Sequence, residues 1–172
     1  MQAINGFQPV INPGANILIL GSMPGKRSLQ ENQYYAHPRN SFWRIFSTLF
    51  DIEENLNDGI DYYQKRLESL KKANIALWDV LQSCERESSL DSDIVESSVV
   101  KNDFSRFFLH HKSIQHVYFN GAKAEDLYKR YVIPALDDQE RELPMTRLPS
   151  TSPAYAAMSF EEKLKRWQII RH

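Results

Sequence analysis

The sequence predicts an α/β fold: a single three-layer α/β/α domain over residues 1–172, built around a mostly parallel four-stranded central sheet. Three observations carry that prediction. Short continuous apolar runs end in glycine or asparagine, as strands buried on both faces do. Amphipathic helical patterns alternate with these runs, the order expected when helices cover both faces of a parallel sheet. The chain's 172 residues, 42% hydrophobic and 12% aromatic, supply one real core without cross-links.

The elements follow in order. Residues 16–21, Asn-Ile-Leu-Ile-Leu-Gly, read as the first strand. Phe42, Trp43, Phe46, Leu49 and Phe50 form an amphipathic stripe after Pro38-Arg39-Asn40, so a helix starts there. A second helix is predicted over 60–72 and a second strand over 73–81. A third helix covers 101–111, and a third strand covers 114–121 with a helix over 122–132 directly after it. The fourth strand is placed at 143–148, although Pro144 lies inside it and proline suits only an edge or a strand start. A helix over 160–170 closes the domain. Ligands of such folds sit at the carboxyl ends of the strands.

Composition narrows the function classes. Cys84 is the single cysteine, which leaves no internal disulfide, no four-cysteine zinc site and no iron–sulfur cluster. No metal-ligand cluster is visible, so neither a metal nor a cofactor is expected. The N-terminus lacks a basic stretch followed by a long apolar run, and no segment approaches the roughly 20 apolar residues that span a bilayer. A cytoplasmic monomer with no membrane contact is the expectation. Net charge is −1, unlike a protein that coats nucleic acid. Lys26, Arg27, Arg39, Arg44, Lys123 and Arg147 nevertheless fall near the loops considered next. Charge alone fits a mixed solvated surface as well as a local DNA-binding face.

Three segments carry the chemistry. Gly21-Ser-Met-Pro-Gly25 follows the first strand and resembles a phosphate-binding P-loop only loosely. It has three residues between its glycines where four are needed, Arg27 follows Lys26 where Ser or Thr is needed, and Pro24 removes an N–H. A nucleotide-binding protein is thereby disfavoured, and a plain tight turn stays open. In Tyr34-Tyr-Ala-His-Pro-Arg-Asn-Ser-Phe-Trp43, Asn40 fits a helix N-cap, and His37 before a proline reads as structural. The adjacent tyrosines suit either a base-stacking platform or packing at the domain edge. Leu148-Pro-Ser-Thr-Ser-Pro-Ala154 is either a turn or a loop whose hydroxyls and N–H groups grip DNA phosphates.

Together and in this order, the segments resemble the uracil-DNA glycosylase superfamily, and most closely its hypoxanthine-DNA glycosylase (DNA-deoxyinosine glycosylase) branch. The mismatch-specific glycosylases share the Gly-x-x-Pro-Gly turn and an aromatic-Ala-His-Pro-x-Asn-x-Phe-Trp segment, which Tyr35–Trp43 matches. Leu148-Pro-Ser-Thr-Ser-Pro is similar to the family's second motif, which pinches DNA beside the flipped nucleotide. The resemblance covers residues 16–154. Three departures stand out. Met23 occupies the place of a water-activating Asp or Asn. Leu148 replaces a catalytic His, and Ser152 stands where an intercalating leucine is common.

The resemblance implies a monofunctional, metal-free glycosylase that acts on double-stranded DNA containing a damaged or mismatched base, with hypoxanthine the expected substrate, in base excision repair. It makes Asn40 the catalytic residue, orienting water, and gives base binding to Tyr35, Asn120, Gly25, Ser22 and Met23. Ser150, Thr151, Ser152, Lys26, Arg39 and Arg147 are the expected DNA contacts. At the end of a strand, Asn120 suits a base-reading amide, since its oxygen accepts from N1–H of hypoxanthine while its NH₂ donates to O6. Without the resemblance, Asn120 as a cap of the following helix stays open. Uracil presents the same pair. In uracil-restricted relatives a tyrosine occupies the position of Gly25, whereas glycine leaves room for a purine. Two alternatives remain on the same fold: a catalytically weak DNA-damage binding module, and a glycosylase preferring uracil or mismatched bases.

Overall fold

A computed structural model of the chain describes residues 2–53 and 59–171, so residues 1, 54–58 and 172 of the expected domain span lie outside the described residues. Among those residues the strands are β1 (Ala3–Asn5), β2 (Ile17–Gly21), β3 (Ile75–Asp79), β4 (Leu81–Glu85), β5 (Val100–Lys101), β6 (His116–Asn120) and β7 (Met145–Leu148). The α-helices are α1 (Lys26–Glu31), α2 (Phe42–Leu49), α3 (Gly59–Lys72), α4 (Phe104–His110), α5 (Ala122–Leu127), α6 (Asp138–Arg141) and α7 (Phe160–Trp167). Strands β3, β2, β6 and β7 lie side by side in that order, every neighbouring pair parallel. This is the predicted four-stranded sheet.

Side-chain alternation along the strands divides the interior in two. Leu18, Leu20, Ala76, Trp78, Val117 and Phe119 face one core, with Phe104, Phe107 and Phe108 of α4 and Leu127 of α5. Ile19, Ile75, Leu77, Tyr118 and Leu148 face the other, with Phe42, Trp43, Ile45 and Phe46 of α2, Leu70 of α3 and Trp167 of α7. Each fully buried aliphatic or aromatic side chain contributes about 1.5–3 kcal/mol. That is why strands sandwiched between helices are apolar throughout. The architecture is three-layer α/β/α.

Several expected boundaries shift for local reasons. The predicted strand over 73–81 divides at Val80. Beyond it, β4 leaves the parallel sheet and pairs antiparallel with β1 and β5. Pro144 sits just before β7 and needs no N–H there, while its carbonyl accepts from Val117 N–H at 2.9 Å. Helix α4 begins late because Asp103 caps it, accepting from Arg106 N–H at 3.1 Å. The pattern over 122–132 is α5 followed by one π-helical turn, Tyr128–Val132. Ser159 and Glu162 form a reciprocal capping box that starts α7.

Candidate active site

The carboxyl ends of β2, β3 and β6 open into a cleft of about 380 Å³. Its walls come from the 21–25 turn, the 34–40 loop, residues 89–92 and the 150–155 loop. Segments singled out from the sequence thus meet at one place, at the strand ends where the topology puts it.

Asn120 ends β6 and lines the cleft. It does not cap α5, whose N-cap is Gly121. Instead its Oδ1 accepts from Thr151 N–H at 2.9 Å, and its Nδ2 donates to Thr151 Oγ1 at 2.9 Å. A backbone N–H can only donate, so the orientation of the amide is fixed. One lone pair and one N–H of the amide remain for a ligand. Gly121 has φ +95°, and a Cβ there would lie 3.0 Å from Ser150 Cβ, so glycine both permits the turn and admits the 150–155 loop. Thr151, expected to touch DNA, is 1% exposed. Its hydroxyl and N–H are committed to Asn120, and its carbonyl accepts from Ser41 N–H at 3.0 Å. It clamps the amide, and its burial leaves little of it to face a phosphate.

The two tyrosines part company. Tyr34 is buried, its hydroxyl donating to the Gln8 carbonyl at 2.8 Å and its own carbonyl accepting from Trp43 Nε1–H at 2.7 Å. Tyr35 adopts φ +54°, a conformation rare for a bulky residue. One ring face stacks on Phe42 with centroids 4.3 Å apart, and the residue lines the cleft. Its hydroxyl is buried and meets no partner in hydrogen-bond geometry. Burial, then the charge of Asp79, raises its pKa above the ordinary phenol value, while nearby Asn120 opposes the shift. Asn40 also lines the cleft. Its Oδ1 accepts from Phe42 N–H at 2.9 Å, an Asx turn that leads into α2 and leaves the amide NH₂ without a protein acceptor among the described residues.

Around the 21–25 turn, Ser22 and Met23 line the cleft but are largely engaged elsewhere. Ser22 Oγ donates to Asp91 Oδ1 at 2.5 Å, and Met23 packs into the core, 6% exposed. Gly25 stands on the cleft wall, where an added Cβ would make ordinary contact with Ser89 at 3.5 Å. Gly21 admits no side chain, since a Cβ would fall 2.5 Å from Asp79 Oδ1 and 3.1 Å from the Tyr35 hydroxyl.

Asp79, Asp91, Leu90 and Tyr155 line the cleft and were not expected. A signal for Asp79 existed. It is the single carboxylate closing an apolar run at a strand's carboxyl end, the position rule that selected Asn120. Burial pushes the Asp79 carboxyl up to about 7, with Asp91 adding to the shift and Arg86 opposing it. Burial likewise raises Asp91, against the Ser22 hydrogen bond and Arg86. Leu90 and Tyr155 are exposed apolar side chains on two lips of the cleft, 47% and 40% exposed. Nothing in their local sequence marks them out.

The remaining expected DNA contacts divide. Ser150 and Ser152 line the cleft, and Lys26 and Arg39 are exposed on segments that border it. Arg147 does not line it. Its Nε pairs with Glu125 Oε2 at 2.5 Å beside a second hollow. Among the described residues no three His, Cys, Asp or Glu side chains converge as metal ligands, and no helix is long and apolar enough to cross a membrane.

The sequence profile of the Uracil DNA glycosylase superfamily matches residues 8–171. The chain belongs to that superfamily. The chain is 40% identical over 120 residues to a Methanosarcina barkeri protein named hypoxanthine DNA glycosylase, covering 69% of this chain and 72% of that one. A Methanosarcina acetivorans protein of the same name is 36% identical over 167 residues, covering 97% and 98%. The solution NMR structure of a Methanosarcina acetivorans protein, described as a candidate uracil DNA glycosylase, superposes with a TM-score of 0.77 at 33% identity, covering 99% of this chain and 98% of that one.

Proposed function

We propose that this superfamily member is a monofunctional DNA glycosylase that flips a deaminated base, hypoxanthine above all, into the cleft and hydrolyses its glycosidic bond. The observation that carries the reading is the Asn120 amide, clamped by Thr151 with one acceptor and one donor left over. That pair complements N1–H and O6 of hypoxanthine and opposes the edge of adenine. The names of the two Methanosarcina relatives support the same substrate.

In this mechanism the enzyme meets an unstacking cost of a few kcal/mol, least for a mispaired base. Leu90 and Tyr155, on the lips of the cleft, take the space the base leaves. The open face of Tyr35 stacks on the flipped ring, worth about 1–3 kcal/mol. Asn40 orients the attacking water through its amide. Asn120 holds the departing base through bonds that strengthen as negative charge develops on it. Gly25 leaves the wall open to a second ring. Lys26, Arg39, Ser150 and Ser152 meet the backbone around the lesion.

Single-turnover cleavage of duplex oligonucleotides carrying hypoxanthine, uracil, xanthine or a normal base, developed with alkali in the presence of EDTA, tests this. Hypoxanthine release should be fastest and unaffected by the chelator. Tight binding to deoxyinosine DNA without cleavage would identify a damage-binding module instead. Faster release of uracil would move the substrate to pyrimidines.

A further inference from the structure

Asp79 is 3% exposed yet lines the cleft, and its Oδ2 meets no donor among the described residues. The carboxyl is not needed to hold the strand. The Asp79 carbonyl already accepts from Asn102 Nδ2 at 2.8 Å, and its backbone pairs in register with Gly21. A buried polar atom without a partner is costly, and such atoms concentrate where a ligand or a proton supplies the missing bond. The Tyr35 hydroxyl, beside the same Gly21, lies near the Asn120 amide but meets no partner in hydrogen-bond geometry.

The groups facing Asp79 decide its protonation. From beyond β4 comes the Arg86 guanidinium, which donates to the Pro24 carbonyl at 2.5 Å and attracts both carboxylates. From the 89–92 segment comes Asp91, and from the 34–40 loop come Tyr35 and Tyr34. Both buried carboxyls thus lie in the field of one guanidinium, and Lys123 acts on Asp91 besides, so Asp79 is the one that favours its neutral form. Asp91 accepts the Ser22 hydroxyl and is the better anion. Asp79 Oδ2 accepts nothing, and the proton belongs there. Its carboxyl, pushed up to about 7, agrees.

We propose that Asp79 is the general acid of the reaction, donating its carboxyl proton to N7 of the flipped hypoxanthine as the C1′–N9 bond breaks. This rests on the hypoxanthine reading above. N7 is the basic ring nitrogen that continues the O6 edge, and protonating it weakens the bond at N9. The electron pair of C1′–N9 goes to N9, so the base leaves as neutral hypoxanthine protonated at N7. Water oxygen bonds to C1′ and its surplus proton returns through solvent to the Asp79 carboxylate. Uracil has no imidazole ring to accept this proton, so Asp79 also favours the purine.

The experiment combines carboxyl NMR titration of the wild-type protein with single-turnover rates on deoxyinosine, 7-deazadeoxyinosine and deoxyuridine DNA from pH 5.5 to 9. Asp79 should titrate near neutrality, and hypoxanthine release should fall about tenfold per pH unit above that point. Asp79→Asn should be about 10²-fold slower at pH 6 with a flat profile. Wild-type protein should be comparably slow on the 7-deaza substrate, where Asp79→Asn adds no further loss. If Asp79→Asn does not fold, the titration and the wild-type 7-deaza comparison still decide. Release of hypoxanthine with Asp79 titrating in the ordinary carboxylate range, or an equal loss in Asp79→Asn on all three substrates, overturns the acid role alone. No hypoxanthine release at any pH overturns the substrate reading as well.

Discussion

Specificity at the scale of single residues is a matter of which hydrogen-bonding capacity is already used. Thr151 takes one acceptor and one donor of the Asn120 amide, and on the function proposed above this selects the edge left for a base. Thr151→Val keeps the shape and the backbone N–H bond but removes the hydroxyl that accepts from Nδ2. The amide loses half its clamp, so single-turnover release of hypoxanthine should slow about tenfold, the worth of one such bond. Affinity for product DNA should stay within a few-fold, because a residue 1% exposed does not touch the backbone. A loss of affinity matching the loss of rate would make Thr151 a DNA contact after all. Asn40 carries a sharper expectation. Met23 lies in the core and has no polar group to orient water, so Asn40→Ala should slow cleavage about 10²-fold or more with little change in affinity. Near-normal cleavage would reduce Asn40 to its Asx turn with Phe42.

At the scale of elements, what the sequence made legible follows from what each element needs. Strands buried on both faces must be apolar, so the runs that became β2, β3 and β6 stood out. The antiparallel sheet did not, because β1 and β5 have three and two residues and β4, Leu-Gln-Ser-Cys-Glu, shares only Leu81 with the apolar run that holds β3. Helix α1, six residues long, is too short to show a periodic stripe. The site divides in the same way. Asn40, Tyr35 and Asn120 stand out through the combination and order of their segments, since each segment alone also fits a cap, edge packing or a turn. The role of Thr151 arises only where its loop meets Asn120, and that of Asp91 only where it meets Ser22. Gly121 makes the first of these meetings possible. Gly121→Ala should cost about 1–3 kcal/mol in urea unfolding, and should slow catalysis by moving Ser150, which lies 3.0 Å from the new methyl. Gly25 tests the wall between elements. A tyrosine there starts with its Cβ in ordinary contact with Ser89 and reaches over the cleft. Gly25→Tyr should therefore suppress hypoxanthine release more than residual uracil release, and an unchanged ratio in the folded variant would place the purine-admitting wall elsewhere.

Over the whole molecule a net charge of −1 leaves DNA binding to a local patch. Exposed Lys26 and Arg39 should each contribute about 0.9 to the slope of log affinity against log salt, whereas Arg147, paired with Glu125, should contribute little. Titration in the interior then couples the site to global stability. In an unfolded chain Asp79 ionises near its ordinary value of 3.8, but burial in the folded chain holds the proton up to about 7. Between those values the folded protein binds a proton that the unfolded chain has released, so stability falls as pH rises through the window. The contribution is fully present below the unfolded value and is lost as pH passes the folded one. Asp79→Asn removes this dependence while keeping a neutral side chain of the same size. Its stability relative to wild type, from urea unfolding at each pH, should therefore rise by up to about 3 kcal/mol between pH 5 and pH 8. Asp91 titrates in the same direction but remains in both proteins, and so cancels from the comparison to first order. A difference independent of pH would mean that the folded protein holds Asp79 ionised throughout, and would remove the proton store on which its role as an acid depends.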